Sequence, residues 1–125
     1  MMVEVSNGEL LDKLSILKIK LENIKDENKL VNIKKEFDIL TSVSNSLFLK
    51  YDIKDMFDSL FQINYKLWQI EDSIRDKERK KEFDEEFVFY ARNVYITNDL
   101  RSDIKKQINN KTNSELVEEK SYERY

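Results

Sequence analysis

Apolar residues recur along this chain at intervals of three and four, which places them on one side of α-helices. The first such line is Leu10, Leu14, Leu17, Leu21 and Ile24, with Leu11 beside it. It predicts a helix over residues 7–25. Ser6 and Glu9 frame its start as a capping box, a hydroxyl for the free amides and a carboxylate three positions on. Asp26, Glu27 and Asn28 then make a tight reversal. A second line, Leu30, Ile33, Phe37, Leu40 and Leu47, predicts the second helix. Residues 41–46 (TSVSNS) compete with helical hydrogen bonds, so its end is open, and a break falls near Tyr51 and Asp52.

The third helix is expected to start with Asp52 as its cap and to run to about residue 80. Its stripe is Ile53, Met56, Leu60, Leu67, Ile70 and Ile74. The fourth is capped by Asp84, with Glu85 and Glu86 at the positive end of the helix dipole. It runs to about residue 110, where Asn109, Asn110 and residues 112–114 close it, since Asn tolerates a left-handed cap. Residues 115–125 have no clear period. They form a turn, a packed extended arm or a disordered tail, and Tyr122 and Tyr125 favour packing. Short reversals make neighbouring helices antiparallel. The expectation is therefore all-α: a four-helix antiparallel bundle built from two hairpins, with a short C-terminal arm, in a single domain over residues 1–125.

Composition sharpens this picture. The chain has 125 residues, with Pro 0 and Gly 1, so little punctuates short strands. Cys 0 and His 0 exclude a Ser-His-Asp triad, a thiol nucleophile and a Cys/His zinc site. Carboxylate, Lys, Tyr, Ser and Arg chemistry remains, and no cofactor is called for. A net charge of -3 is not the balance of a general nucleic-acid binder. No apolar run approaches the roughly 20 residues of a membrane span. The start lacks the basic-then-apolar pattern of a signal peptide. No nucleic acid, no membrane and a cytoplasmic location are the resulting expectations. Lys outnumbers Arg, so the few arginines, among them Arg75, Arg92 and Arg101, are read as positions where a planar bidentate fork matters.

One cluster stands out. On the third helix, a line that begins with Phe57 and Phe61 continues as Asn64, Trp68, Glu71, Asp72, Arg75 and Glu78. On the fourth, Phe87, Ala91 and Val94 continue into Asn98, Arg101 and Lys105, then return to Ile108, with Tyr95 and Asp99 alongside. Apolar stripes thus turn polar without leaving their line. An antiparallel hairpin brings Asn64 and Trp68 nearest Asn98 and Arg101, and sets Glu71, Asp72 and Arg75 against residues 91–95. Buried charges need partners. Glu71 and Asp72 are expected to face Arg75, Arg92, Arg101 and Lys105.

Two readings follow, beside simple solvent exposure should the helical spacing be off by one residue. In one, the cluster is an interhelical network that fixes the hairpin's register. In the other, it lines a pocket. There Arg92, Arg101 and Lys105 hold an anionic or phosphorylated ligand, and Glu71 and Asp72 hold Mg²⁺ or a sugar hydroxyl. Trp68 is read first as core, its indole N–H served by Asn98 or Asp99. Glu82, Glu85 and Glu86 read as dipole partners before they read as metal ligands. Asp52, Asp55 and Asp58 read as a solvated first turn. Phe89 is expected to face the first or second helix. Glu118, Glu119 and Lys120 are surface residues, or an acidic arm folded over the basic end of the fourth helix.

The strings EVSNGELLDK (residues 4–13), LWQIEDSIR (67–75), ARNVY (91–95), NDLR (98–101) and VEEKSY (117–122) resemble an uncharacterised family of short all-helical bacterial and phage proteins, a domain of unknown function. The resemblance spans essentially the whole chain. It implies an all-helical fold and a gene neighbourhood of cell-surface polysaccharide assembly. The LW-x-x-ED-x-x-R string followed by N-x-x-R also resembles a second uncharacterised helical family. Both resemblances put Glu71, Asp72, Arg75, Asn98, Asp99 and Arg101 among the signature positions and supply no reaction. Residues 110–113 stand where the first family often carries Gly.

Three functions remain open. The first is a binding or adaptor module, as monomer or homodimer, for a protein partner or an anionic small molecule such as a sugar intermediate. The second is a small all-α Mg-dependent enzyme on nucleotide or sugar phosphates. Its carboxylates on the fourth helix are sparse, and Arg101 and Lys105 would compete with the metal. The third is a scaffold whose polar network only sets register.

Overall fold

The computed structural model describes residues 1–123 and 125. Four helices follow in order: α1 (Asn7–Asn23), α2 (Glu27–Lys50), α3 (Lys54–Lys80) and α4 (Glu85–Lys111). The fold is an all-α bundle, and the described residues contain no strand.

Local chemistry sets the ends. Ser6 Oγ accepts the Glu9 N–H at 3.1 Å, as a capping serine should. The Glu9 carboxylate, which would complete a capping box, is instead held by Lys105. Asp26 caps α2 through the N–H groups of Asn28 and Lys29. The TSVSNS run does not break α2. Ser44 turns its hydroxyl onto the Thr41 carbonyl within the helix, at 3.1 Å, and the helix continues to Lys50. The expected Asp52 cap is not used. Ile53 occupies the cap position of α3 with no side-chain hydrogen bond, and is itself only 1% exposed. Burial of that isoleucine in the core decided the position over capping chemistry. Asp84 caps α4 through Phe87 N–H at 2.9 Å.

The long hairpin α3–α4 is the frame. Each of its helices is about 40 Å long at about 1.5 Å per residue. The shorter α1 packs on α2, α3 and α4 alike, so it is the element that holds the bundle together. Two lines of α1 are buried for that reason. Leu11 and Leu14 enter the core with Ile53, Phe57, Leu60 and Ile108. Phe37, Leu40, Leu47 and Phe48 of α2 pack against that core, with Phe48 edge-on to Phe57 at 5.4 Å. The second line is Gly8, Asp12, Ser15 and Ile19, all buried although three of the four are small or polar. It faces the hairpin.

Two expectations about the outer surface need correcting. Phe89 does not pack on α1 or α2. It is 62% exposed near the hairpin tip, where its ring meets Tyr90. That tip lies beyond the reach of the shorter α1. The acids near the start of α4 do more than face the helix dipole. Lys77 Nζ lies 3.1 Å from Glu82, 2.9 Å from Asp84 and 3.7 Å from Glu86, tying the end of α3 to the start of α4. These carboxylates hold the Lys77 ammonium well above its ordinary pKa, the Asp84 hydrogen bond most of all.

Candidate functional site

The polar centre of the molecule is built on Asp12, which is 1% exposed. Its Oδ1 accepts from Asn64 Nδ2 and from Arg101 Nε, both at 2.8 Å. Its Oδ2 accepts from the Arg101 Nη2 group. Arg101 therefore grips one carboxylate with two nitrogens, the geometry its planar fork favours. Its remaining Nη1 points to Asn98 Oδ1 at 3.4 Å. Asn64, also buried, donates to Ser15 Oγ at 2.7 Å, and Ser15 donates on to the Asp12 carbonyl. Three helices meet here, through Asp12 and Ser15 of α1, Asn64 of α3 and Arg101 of α4. The Asp12 hydrogen bond raises the Arg101 pKa, so the guanidinium stays charged.

One turn along, Lys105 lies in a similar position. Its Nζ lies 2.6 Å from Glu9, 2.8 Å from Glu118 and 4.0 Å from Asp12. Burial pulls the lysine's pKa down, but Glu118 and Glu9 outweigh it and the net shift is upward. Lys105 in turn holds the Glu118 carboxyl at about 2, with help from Lys120. Glu119 reaches Lys106 at 3.3 Å. Residues 118–119 thus lie as an acidic arm over the basic end of α4.

Two hollows flank Arg101. A groove of about 490 Å³ runs between α1, α3 and α4. Ile16 and Ile19 of α1 line it, and Asn98 and Arg101 of α4. Along α3 the apolar Leu67 and Trp68 alternate with the polar Asn64, Glu71, Asp72 and Arg75. On the other side of Arg101, a cleft of about 240 Å³ lies between α4 and the arm, walled by Asn98, Asp99, Ser102, Lys105, Lys120 and Tyr122.

The residues singled out from sequence divide accordingly. Trp68, Glu71, Asp72, Arg75, Asn98 and Arg101 share the groove. Asp99 and Lys105 line the neighbouring cleft. Arg92 is exposed and belongs to neither. The expected charge pairing across the hairpin is not what forms. Glu71 pairs with Arg75 on its own helix, at 3.4 Å and largely in solvent. Arg101 and Lys105 turn to Asp12, Glu9 and Glu118 instead. The reason is geometric: α1 lies against α4, and its buried Asp12 needs a cation where the half-exposed side of α3 does not. Trp68 is half-buried at the groove wall rather than enclosed in the core. Among the described residues, no three acidic side chains converge as metal ligands would.

Asp12, Glu9 and Gly8 are the partners that the reading of the stripes passed over. A signal was present. Gly8, Asp12, Ser15 and Ile19 are spaced four, three and four apart, so they form one helical line beside the leucines. An aspartate between Leu11 and Leu14 is a buried carboxylate in search of a cation.

Together these features define a small helical bundle with a preorganised polar centre and a solvent-open groove beside it. The chain belongs to a family of unknown function, DUF6165, whose family model matches residues 1–125. No curated protein and no solved structure matches it. No helix among the described residues is long and apolar enough to cross a membrane.

Proposed function

We propose that this protein is a binding module whose α1–α3–α4 groove takes a small, uncharged, hydroxyl-rich ligand of the sugar class. The observation that carries this reading is the mixed lining of the groove. Trp68, Leu67, Ile16 and Ile19 offer apolar surface beside the polar groups of Asn64, Asn98, Asp72 and Arg101. A pyranose ring presents the matching pair: an apolar face of C–H groups and a rim of hydroxyls. The volume of about 490 Å³ falls in the range of small-molecule sites, about 300–1,000 Å³. Arg101 is already locked by Asp12, so its outward N–H is aimed before any ligand arrives, which lowers the ordering cost of binding.

Charge favours a neutral ligand. Glu71 and Asp72 balance Arg75 and Arg101 along the wall, and Asp12 lies directly behind Arg101. A phosphate entering here meets a guanidinium that a carboxylate has already neutralised. The implied neighbourhood of polysaccharide assembly points to the same ligand class. The Mg-dependent reading gains no support from Glu71 and Asp72, since the former pairs with Arg75.

Trp68 is the chain's sole tryptophan, so fluorescence excited selectively at tryptophan reports on this groove. Titration with neutral hexoses and N-acetylhexosamines should give a saturable change with Kd of about 1 mM or tighter, corresponding to about -4 kcal/mol. Asn98→Ala should weaken it. A response to sugar phosphates or nucleotides alone, or only with Mg²⁺, overturns the neutral-ligand reading. No response to any sugar removes the groove as a sugar site.

A further inference from the structure

Ser114 fixes the point where the chain leaves the bundle. Its N–H donates to the Asn109 carbonyl at 2.9 Å, and its Oγ accepts the Asn7 N–H at 3.1 Å. Beyond it the described residues form neither helix nor strand, and the chain turns back along α4. Glu118 and Glu119 meet Lys105 and Lys106, and the Tyr125 ring meets Tyr95 edge-on at 5.2 Å. Little apolar surface is buried on the way. Leu116 and Val117 remain 42% and 44% exposed, and Tyr122 remains 80% exposed. Charge, rather than burial, therefore holds the arm. Exposed ion pairs are individually weak and are screened by salt.

The surface beneath the arm has the opposite character. Arg101, Lys105 and Lys106 follow one side of α4, and with the arm in place Lys105 is buried between Glu9 and Glu118. When the arm lifts, Glu9 remains on Lys105, while Lys106 loses its carboxylate. The resident occupant shows what such a surface accepts: an extended peptide with two successive carboxylates. Its contacts run from Lys106 back to Tyr95, about 16 Å at about 1.5 Å per residue. A small anion cannot bridge that length, whereas a short extended peptide does.

We propose that the α4 surface carrying Arg101, Lys105 and Lys106 is a docking site for an extended acidic peptide segment of a partner protein, and that the C-terminal arm is the intramolecular occupant which such a segment displaces. The arm is covalently attached, so it competes at a high effective concentration. Weakening it should raise the affinity for a peptide added from outside.

The test uses the full chain and a fluorescein-labelled peptide with the sequence of residues 114–123 (SELVEEKSYE), followed by anisotropy. The double variant Glu118→Gln/Glu119→Gln should bind this peptide about tenfold more tightly than the unaltered chain, because its site is more often open. Added salt should weaken the complex. So should Lys106→Gln in that background, a change at a half-exposed side chain with little risk to folding. The same peptide with Gln in place of Glu118 and Glu119 should not bind. Equal affinity for the unaltered and double-variant chains overturns the proposal, as does binding indifferent to Lys106→Gln. Full competition by millimolar phosphate, beyond that of chloride at equal ionic strength, would replace the peptide site with a small-anion site.

Discussion

Gly8 packs directly on the backbone of Lys105. A methyl group built at Gly8 would lie 2.5 Å from the Lys105 carbonyl oxygen and 3.0 Å from Asn109 Oδ1. The Gly8 N–H also donates to that Asn109 oxygen at 2.6 Å. The chain's sole glycine is therefore what lets α1 approach α4 closely enough for Asp12, one turn later, to reach Arg101. Helix propensity alone would favour alanine at position 8 by about 1 kcal/mol. Here the clash is with backbone, which cannot swing aside, so the sign reverses. Gly8→Ala should destabilise by about 1–3 kcal/mol, as overpacking does. Urea unfolding followed by circular dichroism measures it.

Asp12 and Arg101 should behave as a coupled pair. Asp12→Ala leaves a guanidinium without its carboxylate, in a position only 28% exposed, and should cost about 3 kcal/mol or more. Arg101→Met strands a carboxylate that is 1% exposed and should cost at least as much. The double variant removes both charges. It should be more stable than the sum of the two losses predicts, by about 1–3 kcal/mol. A double-mutant cycle in urea reads this directly. Strict additivity would mean that Asp12 and Arg101 do not stabilise each other.

Much of this architecture was legible in the spacing of apolar residues. The leucines of α1, the two long stripes of α3 and α4, and the caps at Ser6 and Asp84 are local signals that the tertiary structure leaves in force. The Asp52 cap failed because Ile53 entered the core, a non-local gain that outweighs one hydrogen bond. The groove wall was legible in part, since Trp68, Glu71 and Asp72 on α3 and Asn98 and Arg101 on α4 follow from hairpin register. Their ion partners were not. Pairing depends on which third helix lies in the hairpin's groove, and periodicity within α3 and α4 is silent on that. Asp12 carried the answer as a lone acid among leucines.

Lys81 ends α3 in the left-handed region, at φ 57. That conformation costs a non-glycine residue about 1–2 kcal/mol, and Gly escapes the penalty. The Lys81 side chain contributes one exposed contact with Glu78 at 3.8 Å, which is worth little. Lys81→Gly should therefore stabilise the protein by about 0.5–1 kcal/mol after the added freedom of the unfolded chain is counted. Thermal unfolding should show a small rise in Tm with unchanged helical content.

The arm should come away in acid before the bundle does. Lys105, and after it Lys120, hold the Glu118 carboxyl at about 2, against an ordinary value of 4.5. A carboxyl whose pKa is depressed by folding binds its proton less readily when folded. Its contribution is complete above pH 4.5 and is lost as the pH falls through about 2. Glu118 is 40% exposed, so the contribution is modest and screened by salt. The core of Leu11, Leu14, Phe57, Leu60 and Ile108 carries no titrating group, and it keeps α1 on α4 while the arm releases. Proton NMR should follow this through the Tyr95–Tyr125 ring contact. That contact should weaken over the pH range from 4.5 to about 2 while the Leu11, Leu14 and Ile108 core signals hold their shifts. Glu118→Gln should show the released arm at neutral pH and no further transition in that range. Simultaneous loss of arm and core signals would mean that the arm is part of the cooperative fold and not a strap laid over it.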